Sequence, residues 1–195
     1  SANQFNIRDG FINSALLYME HFPFVTRLWF GEYFEYENQP DYWMTEVSGI
    51  PFGLTGEMLE GGGRPYHGLI YGMTTRVYHN YNPGNLWNLF EDFNISESRM
   101  IGYWVDYSPI KVNNKKIKCT IFQKNDEILI SLASWSENDE LIDLFIDWDK
   151  IQFDKSKSRL ISPDIKFLQE LRNYDIGTKI KINANEGLVL ILKKI

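Results

Sequence analysis

No lysine occurs in the first 110 residues of this 195-residue chain, whereas 13 occur in the remainder. The first stretch sets five arginines against 13 acids, a formal charge of −8. The second sets 13 lysines and two arginines against 13 acids, a charge of +2. Aromatic residues divide 23 to 7 at the same place, glycines 12 to 2 and prolines 6 to 1. Two stretches of one ordinary domain seldom differ this much. The sequence therefore reads as two structural units, 1–110 and 111–195, joined around Tyr107-Ser-Pro-Ile110.

The whole-chain properties narrow the class further. A chain of this length buries roughly 70% of its unfolded surface and needs no disulfide staples. The lone Cys119 excludes a disulfide framework and any multi-cysteine metal site. A net charge of −6 argues against a nucleic-acid groove, which requires a basic stripe. No apolar run reaches the roughly 18 residues that a membrane span needs. The 6 Trp, 11 Tyr and 13 Phe are too many for a solvated coil. The chain begins Ser-Ala-Asn, without initiator Met or signal peptide, and so reads as a processed chain or an excised piece.

In the first unit, helix-like and strand-like pieces alternate. Apolar residues at 12, 15, 16 and 19 predict a helix over Phe11–Glu20, and Phe24–Phe30 has strand composition between Pro23 and Gly31. Pro40 opens a second helix to Val47, Phe52–Leu59 reads as a strand, and Arg64–Gly72 as a helix. Met73–Tyr78 is a further strand, Asn85–Phe90 has helical spacing, and Asn94-x-x-Glu97 fits a capping box. This alternation predicts an α/β layer with a parallel sheet. A complete eight-stranded β/α barrel needs roughly 250 residues, so only a terminal segment of one fits. Its open sheet edge predicts self-association or closure by the chain's own extra segments.

The second unit predicts an antiparallel β-sandwich. Lys116–Gln123 alternates in polarity, Asn125-Asp126 suits a tight turn before Glu127–Ala133, and Glu140–Asp147 alternates again. Lys179–Ile182 and Gly187–Leu192 complete the set, while Ser162–Asn173 is ambiguous, Ser162-Pro163-Asp164 having the signature of a helix start that the surrounding strands can override.

Chemistry points to the strand ends of the first unit. Glu32, in Trp29-Phe-Gly-Glu, follows the first strand, where the loops of a β/α barrel gather to form active sites. Glu57 stands near the end of the next strand. Two carboxylates divide glycoside hydrolysis between them, one protonating the leaving oxygen and the other attacking or activating water. Tyr36 offers an aromatic wall for a sugar ring, and Arg64 and His79 are further substrate contacts. The alternative for each is an ordinary loop acid or core aromatic. Gly61-Gly-Gly63 fits no phosphate-loop spacing and reads as a turn, with Arg64 and His67 as the donors it could present. His21, His67 and His79 lack metal-binding spacing, and no metal or cofactor is expected. Cys119, flanked by strand residues, reads as a buried inert thiol. Asn94-Ile-Ser96 also fits a glycosylation sequon.

The runs Trp29-Phe-Gly-Glu32, Pro40-Asp-Tyr-Trp43, Glu46-Val-Ser-Gly-Ile-Pro-Phe-Gly53, Gly56-Glu-Met-Leu59 and Met100-Ile-Gly-Tyr-Trp104 resemble the carboxyl-terminal region of large bacterial glycoside hydrolases similar to family 123. Ser131-Leu-Ala-Ser-Trp135, Ile146-Asp-Trp148 and Gly187-Leu-Val-Leu190 resemble the small β-sandwich after their barrel. The resemblance implies a TIM-like catalytic barrel acting on a poly- or oligosaccharide, in a bacterial periplasm or at the cell surface. It further implies that this chain holds the last barrel segments plus the sandwich and is inactive without the upstream part of its parent. Family 123 enzymes use an adjacent Asp-Glu pair with help from the substrate acetamido group. Glu91-Asp92 falls in a predicted helix and Asp126-Glu127 at a turn, so the pair does not carry over. The leading expectation is a fragment of a carbohydrate-active hydrolase; the alternatives are a non-catalytic glycan-binding module and a purely structural domain.

Overall fold

The structure is a computed structural model that describes residues 20, 24, 27–30, 40, 55–58, 65–72, 74–75 and 84–195. It divides into two compact units, Ser1–Pro83 and Gly84–Ile195.

In the first unit, β1 (Arg27–Phe30), β2 (Thr55–Met58) and β3 (Thr74–Thr75) form a parallel sheet in the order β1-β2-β3. All three lie within the stretches expected to be strands. Between β2 and β3 runs α1 (Pro65–Leu69), whose first residue is the proline that needs no amide partner there. Strand, helix and parallel strand in succession are the β-α-β arrangement that the alternating pattern predicts. Tyr66 to Tyr71 are buried, and the Tyr71 hydroxyl donates to the Pro40 carbonyl at 2.8 Å. The helix expected over 11–20 lies outside the described residues except for Glu20, and that over 40–47 except for Pro40.

The second unit is β-rich and antiparallel. It opens with α2 (Gly84–Phe93), which buries Leu86, Phe90 and Phe93 at the spacing of one helical face. The strands β4 (Arg99–Ile101), β6 (Ile117–Gln123), β7 (Glu127–Ser134), β10 (Ser158–Ser162), β11 (Arg172–Tyr174) and β13 (Gly187–Lys194) make one six-stranded sheet. Its order is β11-β10-β13-β7-β6-β4. Two short pairs accompany it: β5 (Ile110–Val112) with β9 (Leu144–Ile146), and β8 (Glu140–Ile142) with β12 (Ile180–Ile182). Alternate residues of the large sheet (Ile117, Cys119 and Ile121; Ile128, Ile130 and Leu132; Leu190 and Leu192) enter one apolar cluster. Ile110, Ile142, Ile180 and Ile182 from the short pairs join the same cluster. The other face of β6 and β7 is buried too, at Thr120, Phe122, Leu129, Ser131 and Ala133. Burial on both faces explains why β7 reads as an almost continuous apolar run rather than an alternation.

Four sequence expectations need revision. The compositional break near residue 110 falls inside the second unit rather than at its edge. Residues 84–110 share the acidic, aromatic character of the first unit, but β4 pairs with β6 through Met100↔Phe122 and Ile101↔Ile121. Unit membership follows strand pairing, which residue counts along the chain do not register. The capping box at Asn94 does not form. Asn94 adopts a left-handed φ of 52° and makes no side-chain cap bond; its N–H donates to the Glu91 carbonyl and closes α2. Asparagine tolerates this conformation and so ends a helix as readily as it begins one. Ser162–Asn173 contains no helix, because Ser162 and Arg172 pair as the ends of neighbouring strands. Finally, the strand expected over 140–147 is two strands, β8 and β9, with different partners.

Candidate functional site

Glu57 occupies the next-to-last position of β2, opposite Trp29 of β1 and Thr74 of β3 in the parallel register. β1 ends at Phe30, two residues before Glu32 in the sequence. Glu32, Tyr36, Arg64 and His79 lie outside the described residues, as do Glu46, His21 and the Gly61-Gly-Gly63 turn. His67 is only 1% exposed within α1. That burial removes it as a hydrogen-bond donor for a solvent-facing substrate loop.

Two of the adjacent carboxylate pairs in the second unit make structural contacts. Glu91 and Asp92 lie exposed near the end of α2. Glu127 opens β7, where it pairs with Lys124 at 2.7 Å and Lys193 at 3.6 Å. A third pair, Asp139-Glu140, stands where β8 begins. Asp139 pairs with Lys181 at 2.6 Å and accepts from the Ala184 N–H, so its carboxyl is held below the ordinary range. Glu140 accepts from the Ser136 hydroxyl at 2.6 Å. Each of these partners supplies a turn or strand contact, and none of the three pairs stands at the end of a parallel strand.

Cys119 is buried in the core of the large sheet, and burial pushes its thiol up from 9.0 to about 12. A thiol so far from ionising is no nucleophile at neutral pH. Among the described residues, no three His, Cys, Asp or Glu side chains come together as a metal site. Nor does any described helix have the length and apolar character to cross a membrane.

One arrangement was missed by sequence reading. An open groove of about 690 Å³ lies where the turn at 154–156 meets the ends of β10 and β11. Its residues come from separate segments that only the antiparallel β10–β11 pairing brings together, Leu160 opposite Tyr174 and Ile161 opposite Asn173. No local motif signals it.

Two family models match the sequence in succession. The glycoside hydrolase 123 TIM-barrel domain covers residues 1–78, and the glycoside hydrolase 123 C-terminal domain covers residues 82–193. No curated protein sequence matches. Among solved structures, a GH30 endoxylanase from Clostridium papyrosolvens C71 is similar at 9% identity with a TM-score of 0.50, covering 99% of this chain and 55% of that one. A noncanonic maltogenic alpha-amylase from Thermotoga neapolitana matches at 13% identity and a TM-score of 0.45, covering 80% of this chain and 45% of that one. The chain thus spans about half the length of these solved chains. At such low identity the likeness to the endoxylanase concerns the fold alone.

Proposed function

The chain belongs to glycoside hydrolase family 123, and from that premise we propose that it forms part of an enzyme hydrolysing glycosidic bonds in a poly- or oligosaccharide. The observation that carries the reading is the succession of a barrel-domain match over 1–78 and a C-terminal-domain match over 82–193. In this reading, residues before Pro83 are the last β-α segments of a catalytic barrel. The six-stranded sheet and the two short pairs are the layers of an accessory β-sandwich. The parent enzyme acts on glycans outside the cytoplasm, in the periplasm or at the cell surface.

Glu32 and Glu57 are proposed as the acid/base carboxylates, with Tyr36, Arg64 and His79 as substrate contacts. The parallel β1–β2 pairing and the position of Glu57 close to the end of β2 support this choice. Active sites of β/α barrels form beyond the carboxyl ends of their strands. The competing reading is a module that binds glycans without cleaving them. It draws support from the second unit, where the Glu127, Asp139 and Glu140 carboxylates are engaged in ion pairs and hydrogen bonds.

Chromogenic glycosides distinguish the two. The parent protein containing this chain is expected to release the chromophore, and the 195-residue chain alone is not. Glu32→Gln and Glu57→Gln in the parent are each expected to lower kcat by about 100-fold or more, the usual cost of removing a general acid or base. Full activity in both variants would discard the site assignment. Glycan binding without turnover by the parent would establish the competing reading.

A further inference from the structure

We propose that Asn94 is the acceptor of an N-linked glycan, attached by an oligosaccharyltransferase outside the cytoplasm. The inference goes beyond the hydrolase reading and shares with it only the placement outside the cytoplasm.

Asn94-Ile-Ser96 is the sole Asn-x-Ser/Thr sequence in the chain, out of 16 asparagines. Side-chain capping, the competing explanation for that amide, is ruled out because Asn94 makes no side-chain cap bond. Its φ of 52° suits glycine as well as asparagine, so the backbone alone does not require an amide here. The Ser96 hydroxyl donates to Asn94 Oδ1 at 3.0 Å, and both residues are exposed. Among the described residues the Asn94 Nδ2 makes no hydrogen bond, so a sugar attached there displaces no contact.

The surroundings keep this stretch accessible and its flanks fixed. Glu91 and Asp92 before it and Glu97 after it are exposed. Asp92, two residues ahead of Asn94, adds a carboxylate that a basic subsite of a transferase can hold. The turn is closed by the Glu97 N–H on the Asn94 carbonyl at 3.1 Å and the Ser98 N–H on the Ile95 carbonyl at 3.0 Å. On one side Phe93 is buried, with the Lys124 ammonium donating to its carbonyl. On the other, Arg99 to Ile101 pair with β6. The stretch can therefore open locally while helix and strand stay in place.

The chemistry uses the free amide. Asn94 Nδ2 forms a bond to C1 of the first sugar of a lipid-diphosphate-linked oligosaccharide. The bond from C1 to the diphosphate oxygen breaks, and the diphosphate leaves with the electron pair. The displaced Nδ2 proton passes to a carboxylate of the transferase. Negative charge gathers on Oδ1 as that proton departs, and the Ser96 hydroxyl is already placed to stabilise it.

The test offers the folded 195-residue chain to a bacterial oligosaccharyltransferase with a lipid-diphosphate-linked oligosaccharide, and weighs the peptide holding residue 94. A gain of one oligosaccharide on that peptide is expected. Asn94→Gly keeps the left-handed backbone and Ser96→Ala removes only the hydroxyl; each is expected to abolish the gain, and Ser96→Thr to retain it. Thermal unfolding of Asn94→Gly is expected to match the wild type, so its loss of modification is not a loss of fold. Modification of the free peptide Asp92-Phe-Asn-Ile-Ser96 but not of the folded chain would overturn the proposal, as would modification of neither. The parent protein isolated from its own source is expected to carry a glycan at Asn94, and a bare Asn94 there would also overturn it. Hydrolysis of chromogenic glycosides by the parent is measured separately and is expected to be unchanged by Asn94→Gly, so the two readings fail independently.

Discussion

Cys119 and Asn94 show how differently a single residue can turn out once its surroundings are in place. Cys119 keeps the character its neighbours suggest: strand residues flank it, it points into the core, and its thiol donates to the Ile110 carbonyl at 3.9 Å. Its pKa of about 12 carries a consequence for stability. Well below pH 9 the thiol is neutral in both folded and unfolded chains and contributes no pH dependence. Above that, the unfolded chain ionises while the folded one does not, so the unfolded state binds fewer protons and stability falls as pH rises. The expected slope between pH 9 and 12 is at most about 1.4 kcal/mol per pH unit from this group. Urea titrations of wild type and Cys119→Ala at pH 8 and pH 10.5 check it; the cysteine-dependent loss should be confined to the higher pH. Rapid labelling of the native thiol by iodoacetamide at pH 8 would contradict the burial. Asn94, by contrast, does stand at a helix start, but of a single 3-10 turn, Ile95–Glu97, and it closes α2 at the same time, with φ at 52° and no side-chain cap bond. Its Oδ1 accepts instead from the Ser96 hydroxyl at 3.0 Å.

At the scale of elements, two interruptions of strands have identifiable side-chain causes. The alternation over Glu140–Asp147 predicts one continuous strand, and the alternation itself survives, with Ile142 buried while Leu141 and Phe145 face out. The break comes at Asp143. Its N–H donates to the Asn113 side-chain oxygen at 3.0 Å, and its carboxylate accepts from the Asn113 amide at 2.8 Å. This clasp replaces ladder bonds for one residue, and β8 and β9 then take separate partners. The second interruption is at Pro163. Continuing the β10–β13 register by two residues from Ile161↔Ile191 sets Pro163 opposite Val189, where proline has no N–H to give. Gln169 takes over with its side-chain amide. It donates to the Val189 and Pro163 carbonyls at 2.9 Å each and to the Ser162 hydroxyl at 2.8 Å, and accepts from the Val189 N–H at 2.9 Å. Val189 is buried, so losing this amide leaves its peptide groups unpaired away from water. Gln169→Ala is expected to cost about 2–3 kcal/mol of unfolding free energy, read as a lower denaturant midpoint at unchanged slope. A loss below about 0.5 kcal/mol would mean that water replaces the amide without penalty.

For the molecule as a whole, the compositional break and the structural boundary are different things. Residues 84–110 look like the first unit in charge and aromatic content, yet α2 and β4 fold with the second. The Lys124 ammonium, which donates to the Phe93 carbonyl and lies 4.4 Å from the Phe93 ring centre, ties the end of α2 to the end of β6. The first unit's three-stranded parallel sheet supports a proposal at this scale. A segment of a barrel leaves strand edges that readily pair with another chain, so the 195-residue chain is expected to self-associate or to close those edges with its own extra segments. Sedimentation velocity across about a tenfold concentration range should show the sedimentation coefficient rising. A concentration-independent monomer that also leaves an edge strand exposed and unpaired would contradict the proposal.

Local sequence determined the elements whose signals are carried by successive residues. The parallel strands between glycine- and proline-bounded loops, the helical spacing of Asn85–Phe90 in α2, the alternating strand β6, the short strand β12 and the inert core cysteine are all legible in it. The resemblance of Trp29-Phe-Gly-Glu32 and its companion runs pointed to the family. Tertiary structure decided whatever depends on residues far apart in the chain. It assigned residues 84–110 to the second unit, divided β8 from β9, replaced the helix expected after Ser162 with the Gln169 anchor, and assembled the groove around Tyr174. The physical reason is common to all four. Local propensities differ by less than about 1 kcal/mol per residue. A buried, unpaired peptide group costs more than that, so long-range pairing prevails wherever the two conflict.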